Sequence, residues 1–85
     1  MYKAAIYVTL KEGVLDPQGE AVNKSLQVMG YTGVIEVRIG KFIEVWLQGQ
    51  DMEEIQAQLH QMADKLLANP VIEEYRIEIV EAEQA

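Results

Sequence analysis

His60 is the only histidine in these 85 residues, and Asp64 follows it by about one helical turn. On a helix such a pair shares a face and makes a two-ligand corner for a metal ion. A zinc site takes three or four donors, and no third is in register, so His60 is expected to face solvent. The chain has no cysteine, which removes thiolate metal sites, iron–sulfur clusters, disulfides and cysteine nucleophiles together. Nucleophilic triads accordingly lack a base. Glu53 and Glu54 fall where a helix begins, and acids there favour the helix dipole without any catalytic role. Glu73, Glu74 and Glu78 read as a solvated strand face. Gly40-Lys41 matches the end of a phosphate-binding loop but lacks the upstream glycine and the following Ser or Thr. No catalytic, cofactor or metal site is expected.

The elements that would carry these residues follow the order βαββαβ. Ala4, Ile6, Val8 and Leu10 alternate with Ala5, Tyr7 and Thr9, the period of a strand over roughly Lys3 to Leu10. Asp16-Pro17 opens a helix, with Asp16 as cap and Pro17 at the first helical position. Val22, Leu26 and Met29 recur at helical spacing, and Gly30 and Gly33 supply a stop and a turn. A hairpin is expected over Val34 to Gln48. A three-residue turn at Gly40-Lys41-Phe42 pairs Ile39 with Ile43, Val37 with Val45 and Ile35 with Leu47, keeping all six on one face. Asp51 and Glu54 make a capping-box-like start for a second helix, on which Met52, Ile55, Leu59, Met62 and Leu66 form the apolar stripe. Asn69-Pro70 ends it, and a last strand over Val71 to Val80 turns Tyr75, Ile77 and Ile79 inward. The pattern describes an α+β, ferredoxin-like sandwich: a four-stranded antiparallel sheet with two helices on one face. Residues 1–80 are expected to form one domain and residues 81–85 an acidic tail.

A domain this small buries only about 60–65% of the surface its unfolded chain exposes, and association is the remaining common way to bury more. Fourteen acidic against seven basic residues give a net charge of −7, a field that repels a phosphate backbone. There is no signal-like start and no apolar run long enough for a membrane helix, so a cytoplasmic location is expected.

The sheet face away from the helices is the informative surface. It is expected to carry Tyr7 and Thr9, Glu36 and Arg38, Glu44 and Trp46, and Arg76 and Glu78, with Phe42 at the turn. In the hairpin register Arg38 faces Glu44 and Glu36 faces Trp46. Aromatic anchors among paired charges have the anatomy of a protein interface. RNA-recognition domains share the strand order and stack bases on such rings, but the acidic charge opposes that reading. A ligand-sensing regulatory module is a further alternative. An acylphosphatase-like enzyme shares the topology, but its glycine-rich anion loop is missing.

Three segments stand in order: Leu15-Asp16-Pro17-Gln18-Gly19, Val37-Arg38-Ile39-Gly40-Lys41, and Leu66-Leu67-Ala68-Asn69-Pro70-Val71-Ile72-Glu73-Glu74-Tyr75. Together they closely resemble PurS, the small subunit of bacterial and archaeal phosphoribosylformylglycinamidine synthase. The resemblance implies a non-catalytic subunit of a purine-biosynthetic ligase. It would bridge a glutaminase subunit (PurQ), which releases ammonia from glutamine, and a synthetase subunit (PurL), which uses ATP and magnesium. It also implies a dimer, or a dimer of dimers, with no cofactor on this chain and neither nucleic acid nor membrane as partner. On this reading Tyr7, Arg38, Glu44 and Trp46 are candidates for the self-interface. Arg38, Lys41 and Phe42 are candidates for contact with a larger subunit. Asp16, Pro17, Gly19, Gly40, Asn69 and Pro70 are expected to shape the backbone.

Overall fold

The computed structural model describes residues 1–82. Three strands, β1 (Tyr2–Leu10), β2 (Lys41–Leu47) and β3 (Glu73–Glu81), form an antiparallel sheet in the order β2-β1-β3. Alternation decides the register. Ala4 lies between Val45 and Ile79, and Ile6 between Ile43 and Ile77, so the apolar series of all three strands share one face. Helix α2 (Met52–Met62) covers that face, with Ile55 and Leu59 buried against Ala4, Ile6 and Val8. Asp51 caps α2 as expected, accepting from the Glu53 N–H at 3.0 Å.

After Met62 the helix widens into a π turn, Ala63–Leu67, closed by the Ala68 N–H on the Ala63 carbonyl at 2.9 Å. The wider turn advances the inward stripe by one position. Leu66, expected in the core, is 82% exposed, and Leu67 packs on the core instead. Asn69 closes the segment, its side chain accepting from the Val71 N–H and its carbonyl from Ile72 and Glu73. Of the expected acidic tail, Glu81 belongs to β3 and Ala82 donates to the Met1 carbonyl; residues 83–85 lie outside the described residues.

Among the described residues the expected hairpin does not form, and the sheet has three strands rather than four. Residues 34–40 lie outside the sheet with no regular secondary structure, and they lead into β2. Gly40 is not the pivot of a turn; the glycines with positive φ are Gly13 and Gly30. Gly40 instead lets the chain pass against the Val8 carbonyl, which a Cβ would strike. Nor do two helices share one face. Helix α1 (Pro17–Val28) contributes no side chain to the core cluster. The radius of gyration is 16.6 Å, against about 12 Å for a compact chain of this length. The long dimension is 51 Å.

The buried layer makes Leu59→Ala costly, about 2–5 kcal/mol, whereas Leu66→Ala should change stability by less than about 0.5 kcal/mol. Urea unfolding of the two variants checks the inward shift of the stripe; equal midpoints would contradict it.

Candidate protein interface

The chain outside the sheet forms an arm of one helix and one extended segment running side by side. Pro17 starts α1, and Gly30, at φ 100°, turns the chain at its far end, where the Tyr31 N–H reaches the Leu26 carbonyl at 3.0 Å. The returning segment is tied to the helix by two amide side chains one helical turn apart. Gln27 Nε2 donates to the Val34 carbonyl at 2.8 Å, and Asn23 Nδ2 donates to the Ile35 carbonyl at 3.4 Å. At Gly19 a Cβ would collide with the Val37 carbonyl, so this glycine permits the close approach. At the base of the arm Asp16 accepts from the Gly19 N–H at 2.9 Å through Oδ1 and from the Ile39 N–H at 2.8 Å through Oδ2. These two N–H bonds, Ile39 first, hold the Asp16 carboxyl below its ordinary 3.8, with Arg38 adding to the effect and desolvation opposing it.

The arm leaves apolar side chains in the open. Ile35 is 92% exposed and Val28 89%, and Met29 and Tyr31 are also exposed. The sequence contained a signal for this. Ile35, Val37, Ile39, Ile43, Val45 and Leu47 share one parity straight through Gly40, which a continuous extended run satisfies with no loop at all.

The candidate contacts at the expected hairpin tip take other positions. Arg38 donates to the carbonyls of Leu10 and Lys11, binding the arm to the end of β1. Lys41 donates to the Leu67 carbonyl at 3.2 Å and lies 3.7 Å from Glu73, which places its charge at the end of the π turn. Asp16, Pro17, Gly19, Gly40 and Asn69 all act on the backbone, and the Pro70 carbonyl accepts from Lys11 Nζ at 2.8 Å.

The outer sheet face gathers Tyr7, Phe42, Glu44 and Trp46, in a register different from the expected one. Lys3, not Glu36, lies opposite Trp46, and Ala5, not Arg38, lies opposite Glu44. The Tyr7 and Phe42 rings are 5.2 Å apart. Lys3 sits 5.3 Å from the Trp46 ring centre and 2.6 Å from Glu44. On the other flank Arg76 lies 4.5 Å from the Tyr7 ring centre and 3.6 Å from Glu78. Phe42 is 58% and Trp46 56% exposed.

His60 and Asp64 do meet, through a third residue. Tyr75 donates to Asp64 Oδ1 at 2.9 Å, and its oxygen lies 3.2 Å from His60 Nδ1. Desolvation, then the hydrogen bond to Asp64 and its charge, raise the Tyr75 hydroxyl above its ordinary range. The trio ties the end of α2 to β3. Among the described residues no three His, Cys, Asp or Glu side chains are grouped to hold a metal ion.

A family profile described as PurS, phosphoribosylformylglycinamidine (FGAM) synthase, matches residues 3–81. The chain belongs to the PurS family. It is 52% identical to the phosphoribosylformylglycinamidine synthase subunit PurS of Synechocystis, over 99% of this chain and 84% of that one. Among solved PurS structures, that of Bacillus subtilis superposes with a TM-score of 0.88 at 49% identity, covering 95% of this chain and all of the other. A chain in the structure of PurLQS from Thermotoga maritima superposes with a TM-score of 0.84 at 30% identity, over 93% of this chain and 96% of that one. PurS is a subunit of FGAM synthase, a ligase of purine biosynthesis.

The Asp16 bonds give this arm a pH signature. A carboxyl whose folded pKa is depressed adds stability above its ordinary value and loses it as pH falls through the folded one. The Ile39 and Gly19 amides should therefore lose hydrogen-exchange protection together as pH drops below about 3.8. In Asp16→Asn the Ile39 amide should already be unprotected at neutral pH, since an Asn that keeps the Gly19 bond turns its NH2 toward a second donor. Protected Ile39 in that variant would show that the contact does not hold the arm.

Proposed function

We propose that this chain is the non-catalytic bridge of FGAM synthase, holding the glutaminase subunit (PurQ) against the synthetase subunit (PurL) as a two-fold dimer. The observation that carries the reading is the arm, whose apolar side chains, Ile35 above all, have no cover on their own chain. Scattered exposed apolar residues are ordinary, but a contiguous set on a projecting element marks a surface meant for another protein.

The open outer edge of β2 supports the dimer. β2 is hydrogen-bonded to β1 along one edge, and its outer edge continues into residues 34–40. Such an edge is a template for another strand. A two-fold axis that sets one copy's run antiparallel to the other's satisfies both at once, since an isologous contact needs only one patch. The fourth strand of a ferredoxin-like sheet would then come from the second copy, and α1 would find its apolar cover there. Self-association on this reading uses the arm and the β2 edge, not the Trp46 face.

As a bridge the chain would do no bond chemistry. The glutaminase subunit would supply ammonia and the synthetase subunit would spend ATP, with magnesium, to place it on the formylglycinamide. A clamp that aligns the two sites and excludes water limits the loss of a small diffusible base. The setting would be cytoplasmic. The Thermotoga maritima PurLQS structure supports a three-component assembly for the family.

Reconstitution with cognate larger subunits tests the role. Turnover from glutamine should require this chain, while turnover from free ammonia should persist without it; no response of either rate would overturn the reading. Ile35→Glu should convert the dimer to monomer in light scattering, and an unchanged dimer mass would remove the arm from the interface.

A further inference from the structure

We infer that His60 is an acylation site: Tyr75 and Asp64 hold its ring with the proton on Nδ1, which leaves the Nε2 lone pair bare on an exposed side chain. The site is independent of the arm and of the proposed dimer.

Counting protons along the trio decides the tautomer. Tyr75 has one hydroxyl proton and two neighbours for it, Asp64 Oδ1 at 2.9 Å and His60 Nδ1 at 3.2 Å. The carboxylate has no proton to offer and is the stronger acceptor, so the hydroxyl proton goes to Asp64. The Tyr75 oxygen then faces His60 with lone pairs alone, and Nδ1 has to bring the proton. In a neutral imidazole that leaves Nε2 unprotonated. The reverse arrangement would set the Asp64 carboxylate against a bare hydroxyl oxygen at 2.9 Å. Desolvation, then the bond to Asp64, holds the Tyr75 hydroxyl above its ordinary range, so it stays a donor at neutral pH. The two rings pack side by side with centres 5.8 Å apart, which limits the freedom of the imidazole to turn.

The same bonds make Nε2 more reactive than that of a free histidine. A ring whose other N–H donates to an oxygen is fixed in orientation and made more basic. Here the oxygen itself donates to a carboxylate, and hydrogen bonds in a chain reinforce one another. Among the described residues the His60 ring is bonded through Nδ1, so Nε2 is open to a reagent. A metal ion takes further donors, and among the described residues no three His, Cys, Asp or Glu are grouped for one. An electrophile needs the one nitrogen. A net charge of −7, with Asp64 close by, disfavours anionic phosphoryl donors and leaves neutral activated acyl donors as the class this site takes.

In the step, Nε2 adds its lone pair to the acyl carbon, and the bond from that carbon to its leaving group breaks. The leaving group departs with the electron pair and, through water, receives the proton that Nδ1 gives up. The product is a neutral acyl imidazole whose Nδ1 is now an acceptor. Tyr75 cannot donate to His60 and Asp64 together. Acylation therefore removes one of the two bonds that tie this helical segment to β3.

The chain has one histidine, so ring signals and acylation are read without ambiguity. Nitrogen NMR of the intact chain at about pH 8.5, where an ordinary imidazole is neutral, should show the proton on Nδ1. Asp64→Ala should move it to Nε2, because the freed Tyr75 proton turns to Nδ1. Asp64→Asn, whose amide oxygen still accepts from Tyr75, should keep the tautomer. Diethyl pyrocarbonate serves as the neutral acyl probe. Its reaction at His60 should slow about fivefold in Asp64→Ala, the population change one ordinary hydrogen bond sustains, and hold its rate in Asp64→Asn. A wild-type ring with its proton on Nε2 would overturn the proposal. Equal rates in all three chains would do the same, leaving the trio as a tie between helix and strand. If Asp64→Ala does not fold, the wild-type tautomer decides together with the wild-type rate, which has to exceed that of an unstructured histidine peptide.

Discussion

Asp16 joins two stretches of backbone that no helix or sheet ladder connects. One carboxylate oxygen satisfies a free N–H at the start of α1, and the other satisfies the N–H of Ile39 as the chain returns. Arg38, next along the returning segment, is fixed to the end of β1. The position of the arm relative to the sheet depends on these contacts, because the arm shares no apolar core with the body. Side chains of Asp16 and Arg38 supply the backbone's hydrogen-bond partners where regular structure stops.

The consequence is a division of labour between the two helices. α2 serves its own chain, closing the sheet with Ile55 and Leu59. α1 runs beside the returning segment, with Asn23 and Gln27 donating to its carbonyls. A lone projecting segment would cost conformational entropy to order. Bonds to the helix at Val34 and Ile35 and to Asp16 at Ile39 fix it at both ends. The sheet's outer face is separate from this, with its charges balanced locally around aromatic rings.

Local signals were legible in the residues wherever the decision was local. Asp16, Pro17 and Asp51 cap the helices as their types require, and β1 and β3 follow their alternation. The failures share a cause. Parity over residues 35–47 is the same for a three-residue turn and for no turn, so periodicity could not choose between them; Gly40 favoured the turn by type, yet serves close packing on Val8. The shift from Leu66 to Leu67 depends on a widened helical turn, which side-chain spacing on an ideal helix does not report. Alternation placed Arg76 and Glu78 on the outer face, whereas Lys3 beside Trp46 was missed because that pairing depends on the β1–β2 register, which spacing alone does not report.

The central place of β1 bears on how the chain comes to be folded at all. β1 is made first, yet one of its two neighbours is the last strand to be made, with Tyr2 opposite Glu81. Contacts that span the whole chain slow folding, and until they form β1 offers an unpaired edge beside Ala4, Ile6 and Val8. The sheet can close only once the residues of β3 have been added to the chain. In the interval the newborn chain exposes both the strand that will be its core and the arm that will leave it, which makes this interval its period of greatest vulnerability to wrong pairing.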